Sequence, residues 1–381
     1  NNADVYDKLP DDIPYKIYVG EYAAIGRPSL YSSLAEAAYL TGVERNADKV
    51  QMVSYAPLIE NAAHGKDHLL VLKNDSVYGR TNYYVLKMFS ENRPDVNLHT
   101  DLKPASPEPV FRTNGFIGLG TNNTEAQFKD LKVIVNGEEI YTSGWSDFVD
   151  KWTIIRGDWK MEGNLLSQSQ KGIDALAILE DREFDDCTIE LKAKKISGTE
   201  GFRIVFGGTD SNNYFMADIG SHTNESVIFR EVNNEGPISL FDYRNTASIK
   251  TDQWYTVRIE IEGAHWKCFL NDELQYEYTY APKKKHYVVS GYDRERKEVI
   301  VKLVNAEAGN WKVRLQLDKA KNLASKGTKI VLGADDRFDE NSFSDPLKIV
   351  PNVTELSGIS NEFTIDCQAN SLTVLRIPCE K

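Results

Sequence analysis

The sequence predicts a mainly β protein, with two antiparallel β-sandwiches following a partial (β/α)8 barrel. Three observations predict this. Strand and helix patterns alternate up to about residue 90, apolar residues recur at every second position beyond a proline-containing segment at 104–109, and a second block of such strands begins near residue 286. With 381 residues, 41% of them hydrophobic, the chain is long enough for several cores.

We expect three domains. Residues 1–103 would form the last β/α units of the barrel, residues 104–285 a jelly-roll insert, and residues 286–381 a smaller C-terminal β-sandwich. Two β/α units leave their sheet edges unpaired, so the first region should not form a stable barrel alone.

The N-terminal elements follow from local patterns. A short strand around Ile17 and Val19 carries Glu21 at its carboxyl end, and a helix is predicted from Leu30 to Tyr39 with Gly42 as its C-cap. A second strand and a second helix complete the β-α-β-α arrangement typical of parallel sheets; they are predicted at 50–56 and 83–89.

The β-rich remainder shows period-two alternation and turn signals such as Asn136-Gly137 and Asn271-Asp272. Strands of the first sandwich are predicted at 131–135, 187–193, 202–206, 254–261 and 266–270. Strands of the second are predicted at 286–292, 298–304, 313–317, 329–332 and 372–377.

Composition excludes some functions. The formal net charge of -12 argues against a nucleic-acid partner, and no apolar run is long enough to predict a membrane span. The four cysteines lack zinc-site spacing, and no metal or cofactor is expected. They are read as buried thiols, while a Cys187–Cys268 or Cys367–Cys379 disulfide remains open.

Glu21 is the candidate catalytic residue, because chemistry in parallel α/β folds lies at the carboxyl ends of strands. A carboxylate there can be a nucleophile, a general base or a metal ligand. The alternative is a glutamate that caps the next helix or pairs with Arg27. His64 and His68 have metal-pair spacing, but we interpret them as exposed loop histidines.

Several ordered motifs together match one known family. In the barrel region they are Val19-Gly-Glu-Tyr-Ala23, Leu34-Ala-Glu-Ala-Ala38, Thr41-Gly-Val-Glu-Arg-Asn46, Val53-Ser-Tyr-Ala-Pro-Leu58 and 78–89. In the C-terminal region they are Asp339-Glu-Asn-Ser-Phe-Ser-Asp-Pro346 and Val350-Pro351. In these motifs the sequence resembles family 51 α-L-arabinofuranosidases, and the resemblance covers about residues 1–100 and 286–381.

This resemblance implies a retaining mechanism with two carboxylates, one nucleophilic and one acting as acid and then base. The nucleophile maps onto Glu21. Gln51, on the second strand, is a candidate substrate contact, although it could equally face the surrounding helices. The family's acid follows an asparagine upstream of the nucleophile, and no glutamate precedes Glu21 here. Later Asn-Glu pairs, at 224–225, 234–235 and 361–362, are interpreted as surface turns.

The middle region resembles concanavalin-like or laminin-G-like jelly rolls. The segments that carry this resemblance are 115–133, 152–159 and 163–166, with the closing strands first, as in a circular permutation. Trp145, Trp152 and Trp159 could be sugar-stacking platforms. The favoured interpretation is that they are core residues of a spacer.

We therefore expect the C-terminal part of an exo-acting glycosidase that releases terminal L-arabinofuranose from arabinan, arabinoxylan or their oligosaccharides. Without its acid/base glutamate the chain should be nearly inactive by itself. Its partners would be the arabinose-containing saccharide and an N-terminal barrel segment, with a secreted or periplasmic location. The alternative is a non-catalytic carbohydrate-binding module.

Overall fold

A computed structural model describes residues 2–24, 28–63, 69–104, 110–143, 145, 148–234, 236–240, 247–318 and 320–379. The chain divides into two compact units, residues 1–107 with 283–381 and residues 108–282. The first and third predicted regions thus share one unit, and the three-domain division itself stays a prediction. The fold is mainly β with several antiparallel sheets, which confirms the predicted fold class.

The first unit begins with a 3-10 turn at Tyr6–Lys8 and then alternates strands and helices. These elements are β1 (Ile17–Tyr22), α1 (Leu30–Arg45), β2 (Val50–Tyr55), β3 (Ile59–Asn61), β4 (Leu70–Lys73), β5 (Ser76–Gly79), α2 (Thr81–Glu91) and β6 (Val96–Leu98). β1 and β2 pair in parallel, as predicted. β3, β4 and β5 form a small three-stranded sheet that the sequence patterns did not indicate.

Helix α1 is longer than predicted. Ser29 caps its N-terminus by accepting a hydrogen bond from the backbone N–H of Ser32, and Asn46 follows its last residue. The prediction of Gly42 as C-cap is therefore wrong. A Cβ at Gly42 would lie 1.9 Å from the carbonyl oxygen of Ala3, so glycine is required there by the close approach of the N-terminal segment.

The second unit is a β-sandwich. Its strands are β7 (Gly115–Asn122), β8 (Thr124–Val135), β9 (Glu138–Ser143), β10 (Trp152–Arg156), β11 (Trp159–Glu162), β12 (Leu165–Gln168), β13 (Asp174–Phe184), β14 (Cys187–Gly198), β15 (Phe202–Asp210), β16 (Asn213–Gly220), β17 (Ser226–Asn233), β18 (Gly236–Leu240), β19 (Trp254–Glu262), β20 (His265–Leu270) and β21 (Glu273–Thr279). A short helix, α3 (Phe148–Lys151), precedes β10, and a left-handed turn at 221–224 joins β16 to β17.

Two antiparallel sheets face each other in this unit. One has seven strands in the order β10-β13-β7-β15-β16-β17-β18, and the other has eight, in the order β11-β12-β8-β14-β19-β20-β21 with β9 beside β8. Every strand predicted for this region is present. The core between the sheets includes Phe128, Phe206 and Trp266, all fully buried.

The three tryptophans proposed as sugar platforms belong to this core. Trp145, Trp152 and Trp159 are 0%, 6% and 8% exposed. The Trp152 ring lies 5.6 Å from that of Trp145, and the Trp159 indole donates to the carbonyl oxygen of Arg156 at 2.9 Å. The favoured interpretation as core residues is confirmed, and the platform interpretation is wrong, because a buried ring offers no face to a sugar.

The C-terminal strands return to the first unit. They are β22 (His286–Asp293), β23 (Glu298–Asn305), β24 (Trp311–Gln316), β25 (Lys326–Gly333), β26 (Asn352–Ser357), β27 (Glu362–Cys367) and β28 (Ser371–Pro378). A six-stranded sheet has the order β26-β25-β28-β23-β22-β6, and β24 pairs with β27. One face of the large sheet packs on α1 and α2, and the other contributes to a core with β24 and β27.

All four cysteines are buried and free, so neither disulfide left open by the sequence forms. Cys187 lies on β14 and Cys268 on β20, with β19 between them. Strands in a sheet lie about 4.8 Å apart, so a pair two strands away is beyond the usual reach of a disulfide.

Within the described residues, no helix is long and apolar enough to cross a membrane.

Candidate active site

Glu21 lies on a β-bulge near the carboxyl end of β1. Val19 is paired with Val53 and Tyr22 with Tyr55, so three steps along β1 match two steps along β2. One extra residue is therefore inserted at Gly20 and Glu21. Bulges are frequent beside active sites because they redirect a side chain without ending the strand.

The two side chains that end β1 lie in different environments. Tyr22 packs toward α1, where its ring lies 5.2 Å from Tyr39, and its ring also lies 5.3 Å from that of Tyr55 on β2. Glu21 is exposed. The open side of the sheet also carries Tyr18 and Met52, which are 56% and 55% exposed, so this apolar surface lacks a covering layer among the described residues.

Gln51 is exposed on β2, and its side-chain amide donates to the carbonyl oxygen of Ala47 at 3.4 Å. The amide is thus engaged at the amino end of the strand, whereas Glu21 lies at the carboxyl end of its parallel neighbour. A substrate contact by Gln51 stays a prediction. His64, His68 and Arg27 lie outside the described residues.

Two of the later Asn-Glu pairs lie among the described residues, on elements other than β1 and β2. Glu225 is an exposed residue of the turn before β17, in the other compact unit. Glu362 begins β27 and forms an ion pair with Arg314 at 2.7 Å, so it is a strand residue and not a turn residue. Glu235 lies outside the described residues.

The sequence interpretation missed a buried carboxyl group near the carboxyl ends of β1 and β2. Glu36 of α1 is 6% exposed, and its Oε1 accepts hydrogen bonds from the Ala24 N–H at 3.0 Å and from the Tyr55 hydroxyl at 3.1 Å. The side-chain amide of Asn82, on α2, donates to the same Tyr55 hydroxyl at 2.6 Å. A signal was available in the sequence: a lone acid among the alanines of an apolar helical stripe.

Burial dominates the electrostatics of this cluster. It raises the pKa of Glu36 to about 7, although hydrogen bonds from Ala24, Tyr55 and Asn82 oppose the shift. Burial, together with the neighbouring Glu36, also raises the pKa values of Tyr22 and Tyr55 above their ordinary range. The tyrosines therefore remain neutral hydrogen-bonding groups. Glu36 lines a small cleft with Ala24, Pro28, Ser32, Tyr55, Arg80 and Asn82.

Comparison with known proteins assigns the chain to a class. The family model of the alpha-L-arabinofuranosidase C-terminal domain matches residues 20–371. An extracellular exo-alpha-L-arabinofuranosidase of Streptomyces chartreusis is 28% identical over 382 residues, covering 99% of this chain and 45% of that protein. Alpha-L-arabinofuranosidase 1 of Arabidopsis thaliana is 32% identical over 195 residues, covering 48% of this chain and 28% of that protein.

Among solved structures, the arabinose-bound MgGH51 α-L-arabinofuranosidase aligns with a TM-score of 0.48 and 15% identity, covering 100% of this chain and 35% of that chain. The family match extends over most of the sequence. The chain therefore belongs to the alpha-L-arabinofuranosidase C-terminal domain family. It spans less than half the length of the curated relatives named above.

Proposed function

We propose that this chain is the C-terminal part of a retaining, exo-acting α-L-arabinofuranosidase in which Glu21 is the nucleophile. The observation that carries the proposal is the exposed Glu21 carboxylate on a bulge near the carboxyl end of a parallel strand. Parallel barrels place their chemistry at that edge of the sheet. Membership of the family supports the same assignment.

In this mechanism Glu21 attacks the anomeric carbon of a terminal arabinofuranosyl residue and forms a covalent glycosyl-enzyme. A second carboxylic acid, about 5 Å away, protonates the leaving oxygen and then activates the water that releases arabinose. No cofactor enters these steps. The substrate class is an arabinan, an arabinoxylan or one of their oligosaccharides.

The second carboxylate is proposed to come from an N-terminal barrel segment. β1 and β2 form a two-stranded sheet with an exposed apolar face, whereas a closed barrel has eight parallel strands. A segment that completes the barrel would cover Tyr18 and Met52 and bring the acid beside Glu21. By itself the chain is expected to turn over substrate very slowly. The name of the Streptomyces relative supports an extracellular location.

The proposal is tested by hydrolysis of an aryl α-L-arabinofuranoside, with wild type and Glu21→Gln compared. The chain is assayed alone and after addition of a barrel segment that precedes the matched region in a family relative. Activity of the complex that Glu21→Gln abolishes is the expected result. A folded wild-type complex that does not hydrolyse the substrate, or a Glu21→Gln complex that does, would overturn the assignment.

A substrate whose leaving group needs no protonation distinguishes the role of the nucleophile from that of the acid. With a dinitrophenyl arabinofuranoside, the Glu21 step no longer depends on the acid. A 2-fluoro analogue should then accumulate as an ester on the peptide that contains Glu21, detected by mass spectrometry. Labelling of another residue would place the nucleophile elsewhere. Glu91→Gln, at an exposed glutamate on α2, serves as the matched control: it should leave the labelling unchanged.

A further inference from the structure

The burial of the Glu36 carboxyl group is energetically unfavourable. It is almost fully buried, and its hydrogen bonds come from neutral groups, the Ala24 amide, the Tyr55 hydroxyl and the Asn82 side-chain amide. Burying an ionisable carboxyl group destabilises a fold unless its hydrogen bonds are satisfied. Nothing in the proposed chemistry at Glu21 uses this group directly.

Two of the partners of Glu36 lie at the ends of the two parallel strands. Tyr55 is the last residue of β2 and is paired in register with Tyr22 of β1. Ala24 follows β1, three residues after Glu21. A single carboxyl oxygen on α1 therefore connects to both strand ends, one through a backbone amide and the other through a side chain.

A second helix reinforces this connection. Asn82, near the start of α2, is 9% exposed and donates to the Tyr55 hydroxyl, while Ser33 of α1 and Thr81 of α2 share a hydrogen bond of 2.7 Å. Glu340 also accepts from the Thr81 backbone N–H at 2.8 Å. The Glu36 carboxyl is thus held in a partly buried cluster with Tyr55 and Asn82, and the backbone after Glu21 is attached to that cluster at Ala24.

We infer that Glu36 is a positioning residue for Glu21: by accepting hydrogen bonds from the Ala24 amide and the Tyr55 hydroxyl, it holds the backbone that follows the bulge and so fixes the direction of the nucleophile. The inference rests on the proposed function. A nucleophile must be held close to its attack geometry, and a displacement of about 1 Å can lower the rate about a hundredfold. The bulge itself offers little rigidity, because its extra residue is outside the ladder of strand hydrogen bonds.

Two substitutions separate positioning from simple loss of packing. Glu36→Gln keeps a carbonyl oxygen that accepts both hydrogen bonds, whereas Glu36→Ala removes the acceptor. The matched control is Glu91→Ala, an exposed helical glutamate paired with Lys87 at 3.8 Å. Amide hydrogen exchange and steady-state kinetics are measured for these three variants and wild type.

The first readout needs no activity. Hydrogen exchange of the Ala24 amide, measured on this chain, should accelerate at least about tenfold in Glu36→Ala and stay near the wild-type rate in Glu36→Gln and Glu91→Ala. An unchanged Ala24 rate in Glu36→Ala, with the fold intact, would overturn the inference whatever the catalytic result.

The second readout uses the complex with the barrel segment. Glu36→Ala should lower kcat about ten- to a hundredfold with KM changed less than about threefold, and Glu36→Gln should recover most of kcat. A normal kcat in Glu36→Ala despite faster Ala24 exchange would overturn the positioning role. Inactivity of the wild-type complex would instead overturn the proposed function, and with it the catalytic part of this inference, while the amide measurement still decides whether Glu36 anchors the loop.

Discussion

Lys302 Nζ donates a hydrogen bond to Glu44 Oε2 at 2.7 Å, so a buried ion pair joins α1 to the six-stranded sheet of the same unit. The Lys302 side chain is 1% exposed and that of Glu44 is 16% exposed. Burial raises the pKa of Glu44 and lowers that of Lys302, while the attraction between the two groups opposes both shifts. Lys302 Nζ also lies 4.8 Å from the centre of the Phe89 ring.

Replacing one partner of this ion pair should destabilise the fold more than replacing both. Lys302→Met leaves the Glu44 carboxylate buried without its partner and is expected to lower the free energy of unfolding by about 3–5 kcal/mol. The double variant Lys302→Met, Glu44→Leu removes both charges and should recover most of this loss. Urea denaturation, followed by hydrogen exchange of the α1 amides, measures both effects.

The control for the ion pair is Lys87→Met, which breaks the exposed Lys87–Glu91 pair on α2. It should change the free energy of unfolding by less than about 1 kcal/mol. A Lys302→Met variant as stable as this control would show that the buried pair does not hold α1 against the sheet.

Glu36 makes stability depend on pH in a predictable direction. Its pKa is raised from 4.5 to about 7 in the folded state, so between these values the folded chain keeps a proton that the unfolded chain has lost. Stability attributable to this group is fully present below pH 4.5 and falls as the pH rises through 7, by about 3 kcal/mol in total. Arg80, Glu340, Tyr22 and Tyr55 are the other titratable groups around it.

Glu36→Gln isolates this contribution because glutamine does not titrate. The difference in free energy of unfolding between Glu36→Gln and wild type should move in favour of the variant as the pH rises from about 4.5 to 8, and the comparison cancels the titration of other groups. A difference that stays constant across that range would show that the folded-state pKa of Glu36 is close to its ordinary value.

Gly42→Ala should destabilise the intact chain, although alanine normally stabilises the interior of a helix by about 1 kcal/mol relative to glycine. The new Cβ would collide with the Ala3 carbonyl oxygen and displace the N-terminal segment. The same substitution in a chain that lacks residues 1–8 should have the ordinary stabilising effect. Thermal unfolding of the four proteins measures this; the same sign in both backgrounds would contradict the prediction.

The buried cysteines should react with thiol reagents only after unfolding. Burial raises the pKa of Cys187 to about 12 and that of Cys367 to about 11, which leaves little thiolate at pH 8. We expect almost no labelling by a chromogenic disulfide reagent in the native protein and labelling of all four thiols in denaturant. A reductant should leave the melting temperature unchanged; a marked fall would indicate a disulfide.

The secondary structure of this protein was largely predictable from local pattern. Period-two alternation located strands such as β14 and β19, because a strand with one buried face must alternate its side chains. The apolar stripe around Leu34 indicated α1. The resemblance of the segment around Glu21 to a family motif indicated the candidate nucleophile, which stays a prediction. Each of these conclusions depends on residues close together in the chain.

Other features were decided only by tertiary structure. Gly42 is inside α1 because the backbone at Ala3, far away in sequence, approaches it, and this overrides the usual preference for glycine at a helix end. Glu36 is buried and hydrogen-bonded because the packing of α1 brings its carboxyl group beside Ala24 and Tyr55. The one-residue insertion at Glu21 depends on pairing with β2. Such contacts join residues distant in sequence, and no local pattern records them.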